Sequence, residues 1–244
     1  MTPFEYLYRS LMPFLPPLHG SVRRRLLEIL DGLRLNERAR VLDVGGRKSH
    51  YTIGVPADVT ITDLPRESDV QIRLNLGVTD GIVAQTMRRR SNVCEVVLDD
   101  MTKSCLPDSS FHCVLAVEVL EHVEADEAFI HQVHRVLKPG GVFLMTTPNG
   151  DFVANRNPDH KRHYRRQELQ ALLENTFENA HIEYAIRTGR YRRAGLRSWS
   201  LRRPLTTALS AVANVINAWE SRSSSLAWEC QGTHHLIAVA KKAG

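Results

Sequence analysis

Seven short apolar runs recur along the chain, near residues 40–44, 58–62, 94–98, 113–117, 142–147, 180–186 and 234–240. Several are apolar throughout rather than alternating, as strands covered on both faces are. Helical or mixed segments separate them, and that alternation predicts an α/β fold on a doubly wound, largely parallel sheet. The stretch from Gly45 to Val59 is short for a crossover helix, so an abbreviated helix or irregular loop is expected there. Upstream, Phe4 to Phe14 and Ser21 to Leu33 read as two helices separated by Pro16-Pro17, and Val22, Leu26, Ile29, Leu30 and Leu33 recur at helical spacing. This N-terminal part is expected to cover the sheet or roof a pocket. An alternative is membrane contact through Tyr6, Leu7, Leu11, Met12 and Phe14, with Arg23, Arg24 and Arg25 near the headgroups.

The pattern divides the chain into an N-terminal helical cap (1–36), an α/β core (37–186), a basic helical insertion (187–233) and a last core strand with its tail (234–244). A chain of 244 residues suits one such domain with a modest appendage. The insertion changes the picture most. Net charge is only +5, but between Tyr184 and Trp219 there are seven arginines and no acidic residue. A solvated face, an anionic substrate, a nucleic acid or an acidic membrane surface all fit such a segment. It then becomes the mildly apolar stretch Leu205 to Trp219, read as a cap or partner-facing helix. No apolar stretch approaches the roughly eighteen residues that cross a bilayer. The N-terminus lacks the features of a signal peptide, and the four cysteines form no metal-like or C-x-x-C spacing. A cytoplasmic, soluble or membrane-peripheral protein is expected.

Candidate chemistry gathers where the core strands end. Val41-Leu42-Asp43-Val44-Gly45-Gly46 reads as a buried strand turning sharply on a glycine pair. Asp63 follows about twenty residues on, then Val96-Val97-Leu98-Asp99-Asp100-Met101, Glu118-Val119-Leu120-Glu121-His122-Val123, and Val136-Leu137-Lys138-Pro139-Gly140-Gly141. In this order and spacing the blocks resemble the class I S-adenosylmethionine-dependent methyltransferases, of the methyltransferase type 11-like kind. The resemblance covers roughly residues 37 to 185 and a last strand. It implies a Rossmann-like, seven-stranded, mostly parallel sheet whose last strand runs antiparallel. It also implies S-adenosyl-L-methionine as cofactor, with Asp43 and Gly45 at the methionine moiety, Asp63 at the ribose, Asp100 and the Met101 backbone at the adenine, and Gly46, Tyr51, Leu64 and Glu118 as further cofactor-binding residues. Two departures stand out. Arg47 and Ser49 occupy the places of the family's second and third glycines, where Lys48-Ser49-His50-Tyr51 looks like a variant of a Gly-x-Gly-Lys-Ser-Pro-Tyr subset. His112 stands where an acid usually follows the phenylalanine, and reads as a surface substitution. Lys138-Pro139-Gly140-Gly141 reads as a helix end turning into the fifth strand.

Methyl transfer from a sulfonium needs alignment, desolvation and, for an oxygen acceptor, removal of a proton. A helix starting near Val119 would point Glu118, Glu121 and His122 toward one site, joined by His160 from Pro158-Asp159-His160-Lys161. Glu118, His122 and His160 are the catalytic candidates, with His163 and His50 as weaker bases. The same residues resemble the divalent-metal site of small-RNA 3′-terminal methyltransferases and the acidic clusters of ubiquinone-biosynthesis O-methyltransferases. That likeness implies Glu118, Glu121, His122 and His160 as ligands to Mg²⁺ or Mn²⁺ and a vicinal diol as acceptor. Without a metal, Glu121 would complement a helix N-terminus and His122 would act as a base. The leading reading is an O-methyltransferase acting on a small or medium anionic acceptor such as a sugar, quinone precursor or lipid-linked intermediate. The alternatives are a metal-dependent RNA methyltransferase and a non-catalytic scaffold of this fold that binds a partner or membrane.

Overall fold

The computed structural model describes residues 1–65 and 78–244. Its strands are β1 (Ala39–Val44), β2 (Ala57–Asp63), β3 (Val93–Leu98), β4 (Phe111–Val117), β5 (Leu137–Pro148), β6 (Asn179–Arg187) and β7 (Thr233–Lys241). They form one sheet in the order β3-β2-β1-β4-β5-β7-β6. Among the described residues, β7 alone runs against the direction of the other six strands. The chain winds outward from β1 through β2 to β3, then crosses back to place β4 on the other side of β1. A crevice therefore opens at the carboxyl ends of β1 and β4, the topological switch point where open α/β sheets bind ligands.

Both faces of the sheet are covered. Val41, Cys113, Leu115, Leu144 and Ile237 join a cluster under α2 (Pro17–Gly32), which contributes Leu18, Val22 and Leu26. Their strand neighbours Leu42, Val114, Phe143 and Ala238 point the other way, into a cluster with Phe129, Ile130 and Val133 of α4 (Asp126–Val136) and Leu169 and Leu173 of α5 (Arg166–Glu174). This period-two alternation with apolar residues on both sides explains why the runs read as uninterrupted. A fourth helix, α3 (Asp80–Arg89), precedes β3.

The N-terminal helix α1 (Pro3–Leu11) is tied down by one buried carboxylate. Glu5 accepts from the Thr2 backbone N–H at 2.6 Å in a capping box, and from the Ser91 N–H and hydroxyl at 2.7 and 2.8 Å at the edge of β3. The first two helices are separated at Leu15-Pro16, and the second begins at Pro17, earlier than the expected Ser21. Pro17 takes a first-turn position, where its missing N–H costs nothing. Two other expectations change. Lys138-Pro139-Gly140-Gly141 belongs to the start of β5, irregular where Gly140 has φ +72° and the register with β4 shifts. His112 is buried within β4, its Nδ1 accepting from the Arg40 N–H at 3.0 Å.

The insertion forms α6 (Arg190–Gly195) and α7 (Pro204–Glu220). Helix α7 has its polarity reversed. It buries Ser210, Asn214 and Asn217 while Leu205, Leu209, Val212 and Trp219 are exposed. The buried amides hold backbone: Asn214 donates to the carbonyls of Phe14 and Gly195 at 2.9 and 3.0 Å, and Asn217 to that of Arg187 at 2.9 Å. Two leucines therefore behave oppositely on truncation. Leu42→Ala removes a fully buried side chain and is expected to cost about 2–5 kcal/mol in urea unfolding, whereas Leu209→Ala should change stability by less than about 0.5 kcal/mol.

Candidate active site

At the carboxyl end of β1 the Asp43 carboxylate is fully buried. Its Oδ2 accepts from the hydroxyls of Ser49 and Thr52 at 2.5 and 2.7 Å, and its Oδ1 from that of Tyr51 at 3.1 Å. Arg90, also buried, donates to the Thr52 hydroxyl at 2.6 Å. Burial raises the Asp43 pKa, opposed by these hydroxyls and the Arg90 charge. The loop folds back over the carboxylate so closely that a Cβ on Gly46 would stand 2.3 Å from the Asp43 carboxyl carbon. Gly45 adopts φ +67°, a left-handed turn that glycine takes without strain.

On the next strand Asp63 accepts from the Leu64 N–H at 2.9 Å, and Arg47 Nε lies 3.9 Å from its other oxygen. Burial raises the Asp63 pKa, with Arg47 and Lys48 pulling it back. Asp99, at the end of β3, donates its N–H to the Asp63 carbonyl at 3.2 Å, which joins the two loops. Asp100 closes a tight turn by accepting from the Thr102 N–H and hydroxyl at 3.0 and 2.8 Å, and the Met101 side chain is buried in the core. Asp63 and Asp100 thus follow adjacent strands at the same edge, as a nucleoside lying across it would require.

Beside them, Glu118 follows β4 in a left-handed conformation, φ +56°, strained for a residue with a side chain. Its N–H donates to the Thr146 carbonyl at 3.1 Å. Its carboxylate accepts from the Thr146 hydroxyl at 3.2 Å and meets His235 Nε2 at 3.4 Å. Burial favours the neutral acid, but His235, His234 and Thr146 outweigh it and lower the Glu118 pKa to about 2. Burial, with His235 and Arg192 adding to it, pushes the neighbouring His234 down to about 3.

Glu121 is fully buried, and its carboxylate oxygens make no hydrogen bond of good geometry, although the Thr147 hydroxyl and the Glu121 N–H are near enough to favour its ionised form. Burial and the Glu118 charge push its pKa well above the carboxylate range. One donor atom from each of Glu121, His122 and His160 lies within 4.8 Å of the other two. The tautomers follow from the neighbours. His163 Nδ1 faces the Val153 carbonyl at 2.9 Å and must carry the proton, so its Nε2 accepts from His160 Nδ1–H at 2.8 Å. His122 Nδ1 faces the Asp159 carbonyl at 3.0 Å. In the neutral state both His122 and His160 therefore present a bare Nε2 lone pair, the arrangement that backbone and imidazole partners impose on metal-ligating or base histidines.

A family model described as a methyltransferase domain matches residues 74–145. A Mycolicibacterium smegmatis protein named as a probable S-adenosylmethionine-dependent methyltransferase is 34% identical over 128 residues, 50% of this chain and 48% of that protein. A sterol 24-C-methyltransferase of Aspergillus fumigatus is 29% identical over 156 residues, covering 60% of this chain and 38% of that enzyme. The chain thus spans less than half the length of these relatives. A solved Archaeoglobus fulgidus SAM-dependent methyltransferase superposes with a TM-score of 0.56 at 16% identity, covering 92% of this chain and 94% of that one. The Haemonchus contortus phosphoethanolamine N-methyltransferase 2 gives 0.57 at 16% identity over 91% and 53%.

The chain is similar in sequence over part of its length, and in fold, to the class I S-adenosylmethionine-dependent methyltransferases. The loop residues expected at the cofactor differ in exposure. Asp43 and Tyr51 are buried, with their polar atoms engaged by each other and by Ser49 and Thr52, and they hold the loop in place. Gly45 and Leu64 are exposed and Asp63 and Asp100 half-buried at the strand ends, while Gly46 is buried against Asp43. The expected helix at Val119 is replaced by a 3-10 turn, Leu120–His122, with α4 starting only at Asp126. Glu118 accordingly leaves the predicted metal cluster and pairs with His235. His50 stacks on Tyr8 at 5.1 Å, a packing role.

The sequence alone does not single out His234 and His235, and it places Arg192 only within the basic insertion. The only local signal for the first two was a pair of imidazoles opening an otherwise apolar strand. Both His234 and His19, the latter lowered to about 4 mainly by burial, are held neutral. The unfolded chain takes up these protons near pH 6.5, so between there and about 4 it binds more protons than the native state, and stability rises with pH. The stabilisation should be complete above about pH 6.5 and be lost on acidification toward pH 4. Urea midpoints across that range should fall with pH, and His19→Gln should flatten the slope.

Proposed function

We propose that this chain binds S-adenosylmethionine along the carboxyl edge of β1, β2 and β3 and methylates an oxygen of a small or medium anionic acceptor in the cytoplasm. When bound, the cofactor supplies an electrophilic methyl group on its sulfonium. The bare backbone of Gly45 and Gly46 admits the amino-acid end, Asp63 accepts from ribose hydroxyls, and Asp100 with the Met101 backbone borders the base. The observation that carries the oxygen reading is the pair of Nε2 lone pairs on His122 and His160, with the ionised Glu118 near enough to stabilise an imidazolium on His160. Such groups can take the proton an acceptor hydroxyl must lose, a contribution of about 10²–10⁴-fold. Arg192, within electrostatic reach of Glu118 and His234, favours an acceptor bearing negative charge, such as a sugar, quinone precursor or lipid-linked intermediate.

A second reading is favoured by Glu121. A buried carboxyl with no well-formed hydrogen bond, beside two imidazoles whose donor atoms lie within 4.8 Å of it and of each other, fits a cation, and Glu121, His122 and His160 would hold it. Two imidazoles and one carboxylate suit Mn²⁺ better than Mg²⁺. A bound divalent ion would lower the pKa of a ligating hydroxyl. The same residues would serve a vicinal diol, including an RNA 3′ end.

Calorimetric titration of EDTA-treated protein with S-adenosylhomocysteine, then with Mn²⁺, tests both readings. Saturable cofactor binding is expected, followed by a metal heat that Glu121→Gln and His160→Ala abolish. Cofactor binding without a metal heat would leave the proton to the histidines and Glu118. No cofactor binding would overturn the enzyme reading and favour a scaffold of this fold.

A further inference from the structure

We propose that the outward face of α7, continued by the N-terminal segment, seats on an anionic lipid bilayer surface. The proposal is independent of the methyl-transfer chemistry. Leu205, Leu209, Val212, Val215 and Trp219 are all exposed and recur every three or four residues, which lines them along one side of a helix about 25 Å long. Helices on a protein surface ordinarily turn such a stripe inward. Here the inward side is committed to Ser210, Asn214 and Asn217, whose hydrogen bonds to main-chain carbonyls leave the helix no means of rotating its leucines into the core.

The patch extends beyond the helix. Leu11, Phe14, Trp199, Leu201, Pro204 and Ala208 line an adjoining apolar depression, and Leu201 is fully exposed at the loop tip between α6 and α7. Leu7, exposed on α1, lies one turn before Leu11. Among the described residues no helix is long and apolar enough to cross a membrane, so contact would be with one leaflet, the apolar side reaching about 5–10 Å into it.

Charge selects the occupant. Arg193, Arg197, Arg202 and Arg203 are exposed beside the patch. No ion pair involves them among the described residues, and residues 185–219 contain no acid. A rim of one sign around an apolar stripe complements a continuous negative surface. A second copy meeting through the same face would bring two arginine rims together. An RNA would meet an aliphatic stripe of Leu205, Leu209, Val212 and Val215 along most of the helix, where a series of stacking rings is needed. Trp199 and Trp219 are side chains suited to the headgroup boundary.

Flotation of the purified chain with phosphatidylcholine vesicles, with and without phosphatidylglycerol, tests the proposal. Binding is expected on the anionic vesicles, weakening as salt rises, and weak on neutral ones. Arg202→Glu with Arg203→Glu, and separately Leu209→Glu with Val212→Glu, should each lower binding about tenfold or more, with unfolding midpoints and S-adenosylhomocysteine binding unchanged. Absence of binding to anionic vesicles would overturn the proposal, as would binding untouched by both variants. So would a concentration-dependent dimer that Leu209→Glu with Val212→Glu dissolves, or RNA binding lost in the arginine variant without any vesicle binding.

Discussion

A carboxylate taken out of water without donors costs several kcal/mol, yet Asp43 is fully buried at the end of the central strand. Three hydroxyls meet that demand, and all three come from a stretch of four residues, Ser49 to Thr52. The loop after β1 must therefore fold back onto its own strand end, which in turn leaves room at Gly46 for no side chain. Arg90 braces two of the hydroxyls from the end of α3, and the adjacent Ser91 anchors Glu5 of α1. Arg23 of α2 donates to the Tyr51 and Ile53 carbonyls on the far side of the same loop. Loop, sheet edge and N-terminal helices are thus one cooperative polar unit, in which removing one donor leaves a buried charge uncompensated. Ser49 in the place of a family glycine is understandable on these terms, because the loop is held by side-chain hydroxyls.

The opposite wall of the crevice follows a different logic. Glu118 and Glu121 lie three residues apart, yet one is held ionised by His235 and the other is driven toward the neutral acid by burial and by the first. Pairs of titratable groups pushed apart in this way are typical of sites that move protons. The chain from Val153 through His163 to His160 orients an imidazole using only a main-chain carbonyl and a second ring. These contacts fix the orientation of both rings.

The strands were legible because each carries its own evidence: Val41 and Leu42, or Val114 and Leu115, are apolar on successive positions, which only a doubly covered strand needs. The order of Asp43, Asp63, Asp100 and Glu118 was legible for the same reason, each closing a strand. What failed was read from local spacing where distant contacts decide. Glu118-Val119-Leu120-Glu121-His122 suits a helix in isolation, but bonds from Glu118 to Thr146 on β5 fix it in a left-handed turn. His235 reaches Glu118 only because β7 returns antiparallel beside β5, across more than a hundred residues of chain. Asp43 kept its place in the pattern while its carboxylate turned inward, since a motif fixes a position and not the direction of a side chain. The apolar stretch of α7 was visible. Its reversal was not, because Asn214 and Asn217 look like surface residues until the carbonyls of Phe14, Gly195 and Arg187 are brought beneath them.

Helix α6 joins these two halves of the molecule. Its last residue, Gly195, accepts from both Ser210 and Asn214 of α7, and a Cβ there would collide with the Asn214 amide. Two residues before that end, Arg193 faces solvent beside the apolar patch, while Arg192, next to it in sequence, is half-buried toward Glu118 and His234. A helix this short, clamped at one end by buried amides, has little freedom to tilt independently of α7. Seating α7 on a charged bilayer would therefore set the position of Arg192 relative to that surface as well, so the guanidinium beside the proton-accepting groups would lie at a fixed height above the headgroups. An anionic acceptor carried on a lipid would then meet the site already oriented by the membrane, and the arginines of the insertion would serve one geometry: the exposed ones set the plane of the surface, and the half-buried one receives the charge that comes from it.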